Sequence, residues 1–195
     1  MKRTFLILLW LQSVTFPLLT ACAAARFQES QATPQYKEVL QANTATPTSL
    51  PASPPASCPI TRPPDVPFAP PSPYPAELPP EYVGEFWYVT PELWTMLRTD
   101  GTWNSLPHTS DGYTQKLVWW RQGYDMYAEP IPKLTVTGKR LDESAPPLLA
   151  LKATNAHADL GDMMMVGVSI PTLGCWEIKG QYNGHELSYI VWVAP

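Results

Sequence analysis

Residues 81–195 predict an all-β sandwich, and three observations carry that prediction. Short apolar runs recur between Gly, Pro, Asp-Gly and Asn-Gly punctuation, the spacing of a sandwich of short strands. No apolar stripe of helical period runs longer than a turn or two. Proline and glycine are also segregated: 14 of the 24 prolines lie between Pro47 and Pro80, whereas the first glycine is Gly84. Residues 81–195 hold every glycine, seven of the eight tryptophans and seven of the nine tyrosines, so the globular part is confined there. That length, about 115 residues, suits one core and is too short for two.

The expected strands are 85–89, 93–98, 102–106, 115–121, 133–138, 148–153, 163–170, 175–181 and 185–193. Asp100-Gly101 and Asp111-Gly112 supply turns, and Pro146-Pro147 breaks the chain between the fifth and sixth strands. The last hairpin is the most fully specified. Asn183-Gly184 is the preferred centre of a two-residue type I′ turn, which pairs Tyr182 with His185. In that register Trp176 meets Val191, Ile178 meets Tyr189 and Gly180 meets Leu187 on one apolar face. The other face, with Glu177, Lys179, Gln181, Ser188 and Glu186, is mostly polar. A slip of one residue would exchange the faces, so the register is well determined.

The N-terminus reads as an address. Met1-Lys2-Arg3 is basic, and Thr4 to Leu19 is almost wholly apolar but shorter than the ~20 residues of a spanning helix. Leu19-Thr20-Ala21-Cys22 resembles the bacterial lipoprotein box. That resemblance implies cleavage of residues 1–21, lipid on Cys22, and an anchor of more than one acyl chain. Ala23 stands where an inner-membrane retention signal would place aspartate. An ordinary signal peptide or an uncleaved anchor is the alternative. Without Lys2 and Arg3, 11 basic and 17 acidic side chains remain, a formal charge of −6, so the lipid rather than surface charge must hold the membrane. The whole chain carries −4, which excludes a strongly basic nucleic-acid surface.

Residues 22–57 are expected to be a flexible tether and 58–80 a proline-rich segment with polyproline II character, since each proline lacks a donor and biases its predecessor to extended geometry. Pro70-Pro71-Ser72-Pro73 is a possible dock for a proline-binding module, a reading subordinate to the spacer. If Cys22 is lipidated, Cys58 and Cys175 are the remaining thiols, both outside the reducing cytoplasm, and a disulfide between them is expected. Two unpaired thiols are the alternative. Such a bond would close a loop of more than 100 residues, contributing about 4–5 kcal/mol by loop entropy, and would tie the proline segment back onto the domain.

Cys58-Pro59-Ile60-Thr61, Leu93-Trp94-Thr95, the run from Lys116 to Arg121, the run from Leu134 to Asp142, Ala145-Pro146-Pro147-Leu148 and Gly174-Cys175-Trp176-Glu177-Ile178 together resemble a group of uncharacterised bacterial secreted proteins and lipoproteins. The resemblance covers residues 58–195. It supports pairing of Cys58 with Cys175 and implies no activity. The C-terminal pattern is also similar to the final strands of Ig-like domains in bacterial surface proteins, a fold that hosts many functions.

No nucleophile or zinc-protease motif is present. His108, His157 and His185 are far apart in sequence, and His185 reads as a hairpin-end residue. Met163, Met164 and Met165 near His157 raise the question of copper, which thioethers and imidazoles suit. Alternation argues against it, because Met164 would share a core face with Val166, Val168 and Ile170, and methionine packs readily in cores. Asp142-Glu143 and the pair Asp159 and Asp162 read as surface-loop carboxylates, too few for calcium. Trp119 and Trp120 must point to opposite faces of one strand. An outward tryptophan flanked by Arg121 would make a binding surface for a sugar or a partner side chain, but the favoured reading is a large residue covering the second sheet or the returning proline segment.

The sequence therefore predicts a lipid-anchored extracytoplasmic protein, on the cell membrane or outer membrane, presenting a non-catalytic Ig-like sandwich that binds an envelope protein or polysaccharide. No cofactor, metal or nucleic acid is expected. The alternative is a small envelope hydrolase or copper-handling protein, which needs two or more of His108, His157, Asp159, Asp162 and Glu177 to converge in one cleft.

Overall fold

The structure is a computed structural model that describes residues 50–195. Cys22, the expected signal peptide and residues 22–49 of the expected tether lie outside the described residues. After a 3-10 turn at Pro80–Tyr82 come β1 (Glu85–Val89), β2 (Trp94–Arg98), β3 (Thr102–Trp103), β4 (His108–Thr109), β5 (Gly112–Trp120) and β6 (Thr135–Arg140). They are followed by β7 (Leu149–Ala150), β8 (Thr154–Ala158), β9 (Gly161–Ile170), β10 (Gly174–Tyr182) and β11 (His185–Val193). One sheet runs β1-β2-β5-β9-β7, with β4 on β5 and β8 on β9; the other runs β3-β11-β10-β6.

Each expected strand segment contains all or part of a strand. The β10–β11 register is the expected one from Tyr182–His185 through Trp176–Val191, and Asn183 adopts the positive φ of 48° that a type I′ turn needs. Two strands were not expected. β4 is only two exposed residues, and β8, Thr-Asn-Ala-His-Ala, carries no apolar alternation and is ordered by pairing with β9.

Period-two alternation divides the first sheet into two faces. Leu97, Leu117, Trp119, Met164, Val166, Val168 and Ile170 face the second sheet and pack with Trp103, Trp176, Ile178, Tyr189 and Val191 in the sandwich core. Methionine thus divides as the alternation predicts, with Met164 in this core. The opposite face carries Trp87, Trp94, Trp120 and Met163, which cluster with Leu160 and Tyr74, while Phe68, Leu78 and Tyr82 pack against them. The later part of the proline-rich segment, from Phe68 to Leu78, therefore forms a third layer over the first sheet, whereas Cys58 and Ile60 lie against Cys175 and Trp192 of the second. This layer explains the tryptophan density, because the molecule has two aromatic interfaces instead of one.

The proline-rich segment is fastened at several points. Cys58 and Cys175 form a disulfide across 117 residues of sequence with Cα atoms 5.6 Å apart. Thr61 N–H donates to the Ile190 carbonyl (2.9 Å), and Ile190 N–H donates to Thr61 Oγ1 (2.9 Å). The Tyr74 hydroxyl donates to the Arg121 carbonyl at 2.9 Å, and its ring meets Trp94 edge-on at 5.2 Å. Contacts with the domain also occur before Cys58, at Leu50 and Pro51. Trp192 Nε1–H donates to the Pro51 carbonyl at 3.0 Å, and Leu50 packs on the Cys58–Cys175 cluster. Pro51 thereby satisfies the N–H of a buried indole.

Candidate functional site

Neither tryptophan of the candidate surface at Trp119, Trp120 and Arg121 is outward. Trp119 and Trp120 both have 0 % exposure. Trp119 points into the sandwich, and Trp120 points under the third layer, where its Nε1–H donates to the Leu160 carbonyl at 3.1 Å. Arg121 does not flank an outward tryptophan; its guanidinium lies 5.7 Å from the centre of the Tyr182 ring. Alternation correctly sends the two indoles to opposite faces, but both faces are covered.

The cavities point elsewhere. An open groove of about 490 Å³ runs between the proline layer and β1, walled by Pro64, Pro67, Phe68, Leu78 and Phe86. The elements that make it are simple. The proline-rich chain has no regular structure beyond short turns, one of them closed by the Tyr74 N–H on the Pro71 carbonyl at 3.1 Å, and the 3-10 turn at Pro80–Tyr82 then carries the chain into β1. Trp87 lines the groove, is 4 % exposed, and its indole N–H has no hydrogen-bond partner. Glu77 and Glu85 are its charged lining residues, and no lysine or arginine lines it. Burial raises the Glu85 carboxyl above its ordinary range, partly offset by the Arg98 charge. Sequence reasoning identified the clamp on residues 58–80 but missed this wall; Phe68 and Leu78, lone apolar residues among prolines, were the available signal.

The candidate catalytic residues are mostly dispersed. His108 meets Tyr113 edge-on with ring centres 4.6 Å apart, Glu177 pairs with Lys139 at 2.9 Å, and Asp159 sits exposed at the β8–β9 turn. Asp142 and Glu143 both engage Arg140, at 2.7 and 3.1 Å. Two of the five do meet. His157 and Asp162 are cross-strand partners in the β8–β9 hairpin, with Nδ1 and Oδ1 2.6 Å apart. They do not form a cleft site: the His157 side chain is 65 % exposed, and neither residue lines the five cavities of about 250–490 Å³.

The bonds of Asp162 account for its placement. It also accepts from the Met126 N–H at 3.2 Å, while Asn155 donates to the Met126 and Pro130 carbonyls. The pair thus anchors the loop between β5 and β6. The His157 hydrogen bond holds the Asp162 carboxyl below its ordinary range, against a smaller opposing effect of burial. At the other side of that loop the Tyr182 hydroxyl donates to the Glu129 carboxylate. Burial, then the bond and charge of Glu129, push the Tyr182 hydroxyl up to about 12. Among the described residues no group of three or more His, Cys, Asp or Glu side chains is placed to hold a metal ion. None of the described helices is long and apolar enough to cross a membrane.

Compared with protein families, with curated proteins and with solved structures, the chain has no match.

Proposed function

We propose that this is a lipid-anchored extracytoplasmic protein whose Ig-like sandwich is a non-catalytic binding domain for an envelope component. The observation that carries the binding reading is the open apolar groove between the proline layer and β1, the largest of the cavities described, with buried aromatic flooring and few polar groups. The anchoring reading rests on Leu19-Thr20-Ala21-Cys22 and is supported by the Cys58–Cys175 disulfide, a bond that persists in oxidising compartments. The Ig-like reading is finer than the two-sheet sandwich and draws on its mostly antiparallel sheets, parallel only between β3 and β11, and on the C-terminal hairpin. Fixing residues 50–80 to the domain leaves the stretch between Cys22 and Leu50 as the tether.

Two experiments test the two halves. A clickable palmitate analogue should label the native protein, and Cys22→Ala should lose both label and membrane partition; a Cys22→Ala protein that stays in membranes refutes the anchor. A photo-crosslinking residue at Val83, 86 % exposed on the groove rim, should capture an envelope component, whereas one at exposed Leu149 on the far edge of the sheet should not. Equal capture at both positions, or none, contradicts the groove.

A further inference from the structure

The groove has a floor that side chains alone do not describe, namely the free edge of β1. Hydrogen-bonded pairs alternate along an antiparallel ladder. Thr90 N–H bonds the Leu93 carbonyl and Thr99 N–H bonds the Gly84 carbonyl, each at 2.8 Å. With the Phe86–Leu97 and Tyr88–Thr95 register between them, the β1 groups directed at β2 are those of the even-numbered residues. The N–H and C=O of Glu85, Trp87 and Val89 therefore point away from β2, and among the described residues they have no backbone partner. In the second sheet, Thr61 and β3 cover β11, and Leu148 N–H bonds the Gly138 carbonyl of β6. An edge of sequence Glu-Phe-Trp-Tyr-Val has no proline, lysine or bulge to discourage pairing.

We propose that the β1 edge receives an extended segment of a partner protein by strand addition, with apolar side chains of that segment in the groove and at least one lysine or arginine opposite Glu77 and Glu85. The proposal deepens the binding reading above and rests on it. Strand addition takes its affinity from main-chain bonds and its selectivity from side-chain pockets, and both are present side by side here. Pro64, Pro67, Phe68 and Phe86 offer the apolar wall. Charge selects the occupant. A second copy of this chain would bring acid against acid, Glu77 and Glu85 facing their own equivalents, and each copy carries net negative charge. A basic, apolar strand meets the opposite sign.

The probe is an end-capped heptapeptide of alternating lysine and valine, titrated onto the full lipidated chain in nanodiscs of zwitterionic lipid, with empty nanodiscs as reference. Hydrogen exchange should slow at the Glu85, Trp87 and Val89 amides. N-methylation of the peptide amides along one edge should weaken binding by about tenfold or more, because it removes ladder donors without altering the protein. Replacing the lysines by glutamates, or Glu77 and Glu85 by glutamine in the protein, should also weaken it. Protection elsewhere, or equal affinity of the N-methylated peptide, overturns strand addition. Protection of β1 that appears without peptide and grows with protein concentration overturns the choice of partner in favour of a second copy. If no peptide binds while crosslinking at Val83 still captures a component, strand addition fails and the binding reading survives.

Discussion

Trp119 of β5 and Gly180 of β10 face each other across the sandwich so closely that a Cβ on Gly180 would lie 2.5 Å from the Trp119 ring. The glycine gives up side-chain packing in mid-strand so that a fully buried indole can occupy the space between the sheets. Gly180→Ala should therefore destabilise the domain by about 1–3 kcal/mol, the usual cost of overpacking. Trp119→Phe combined with Gly180→Ala should cost less than the sum of the two single changes, because the smaller ring relieves the clash. Urea midpoints of the four proteins check this.

The Cys58–Cys175 bond closes a loop of 117 residues, so its removal should destabilise by about 4–5 kcal/mol on the loop-entropy estimate. The paired Cys58→Ala and Cys175→Ala variant measures it. Amide exchange in that variant should rise first at Thr61 and Ile190, whose mutual bonds lie beside the staple.

Acid should weaken the fold through Asp142 and Asp162. Burial draws the Asp142 carboxyl upward, but hydrogen bonds from Arg140 and the Cys175 N–H outweigh it and hold it below the ordinary carboxylate range. A depressed folded pKa means that the unfolded chain binds protons first. The stabilisation is present above about pH 4 and is lost as pH falls through the folded value. Asp142→Asn and Asp162→Asn should each flatten the loss of stability between neutral pH and about pH 3; an unchanged acid limb in both variants contradicts the assignment.

Tyr74 tests the energetics of the third layer. In a free spacer its removal would be silent, whereas a ring packed on Trp94 and bonded to the Arg121 carbonyl predicts about 3–5 kcal/mol lost in Tyr74→Ala and about 1 kcal/mol in Tyr74→Phe.

Local rules made some parts of this architecture legible and left others hidden. The β10–β11 register follows from two adjacent turn residues and one clean alternation, so it can be read to the residue. β8 could not be read, because Thr154–Ala158 is a strand only through its pairing with β9. Alternation places Trp119 and Trp120 on opposite faces, yet nothing local says that the second face is covered by residues about 50 positions earlier. That covering is a long-range fact, and it moved the candidate site from the outward tryptophan to the groove at the margin of the layer. The five candidate catalytic residues show the same limit: strand pairing brings His157 to Asp162, and only the fold reveals that the meeting place is an open hairpin.

The proline segment as a third layer is the claim on which both the buried tryptophans and the groove depend, and hydroxyl-radical footprinting of the native full chain tests it most directly. Trp94 and Trp120 should be as strongly protected as Trp119, with Tyr127, 85 % exposed, as the reactive reference. Oxidation of Trp94 or Trp120 at a rate like that of Tyr127 would mean that the outer face of the sheet is bare, and would contradict the account.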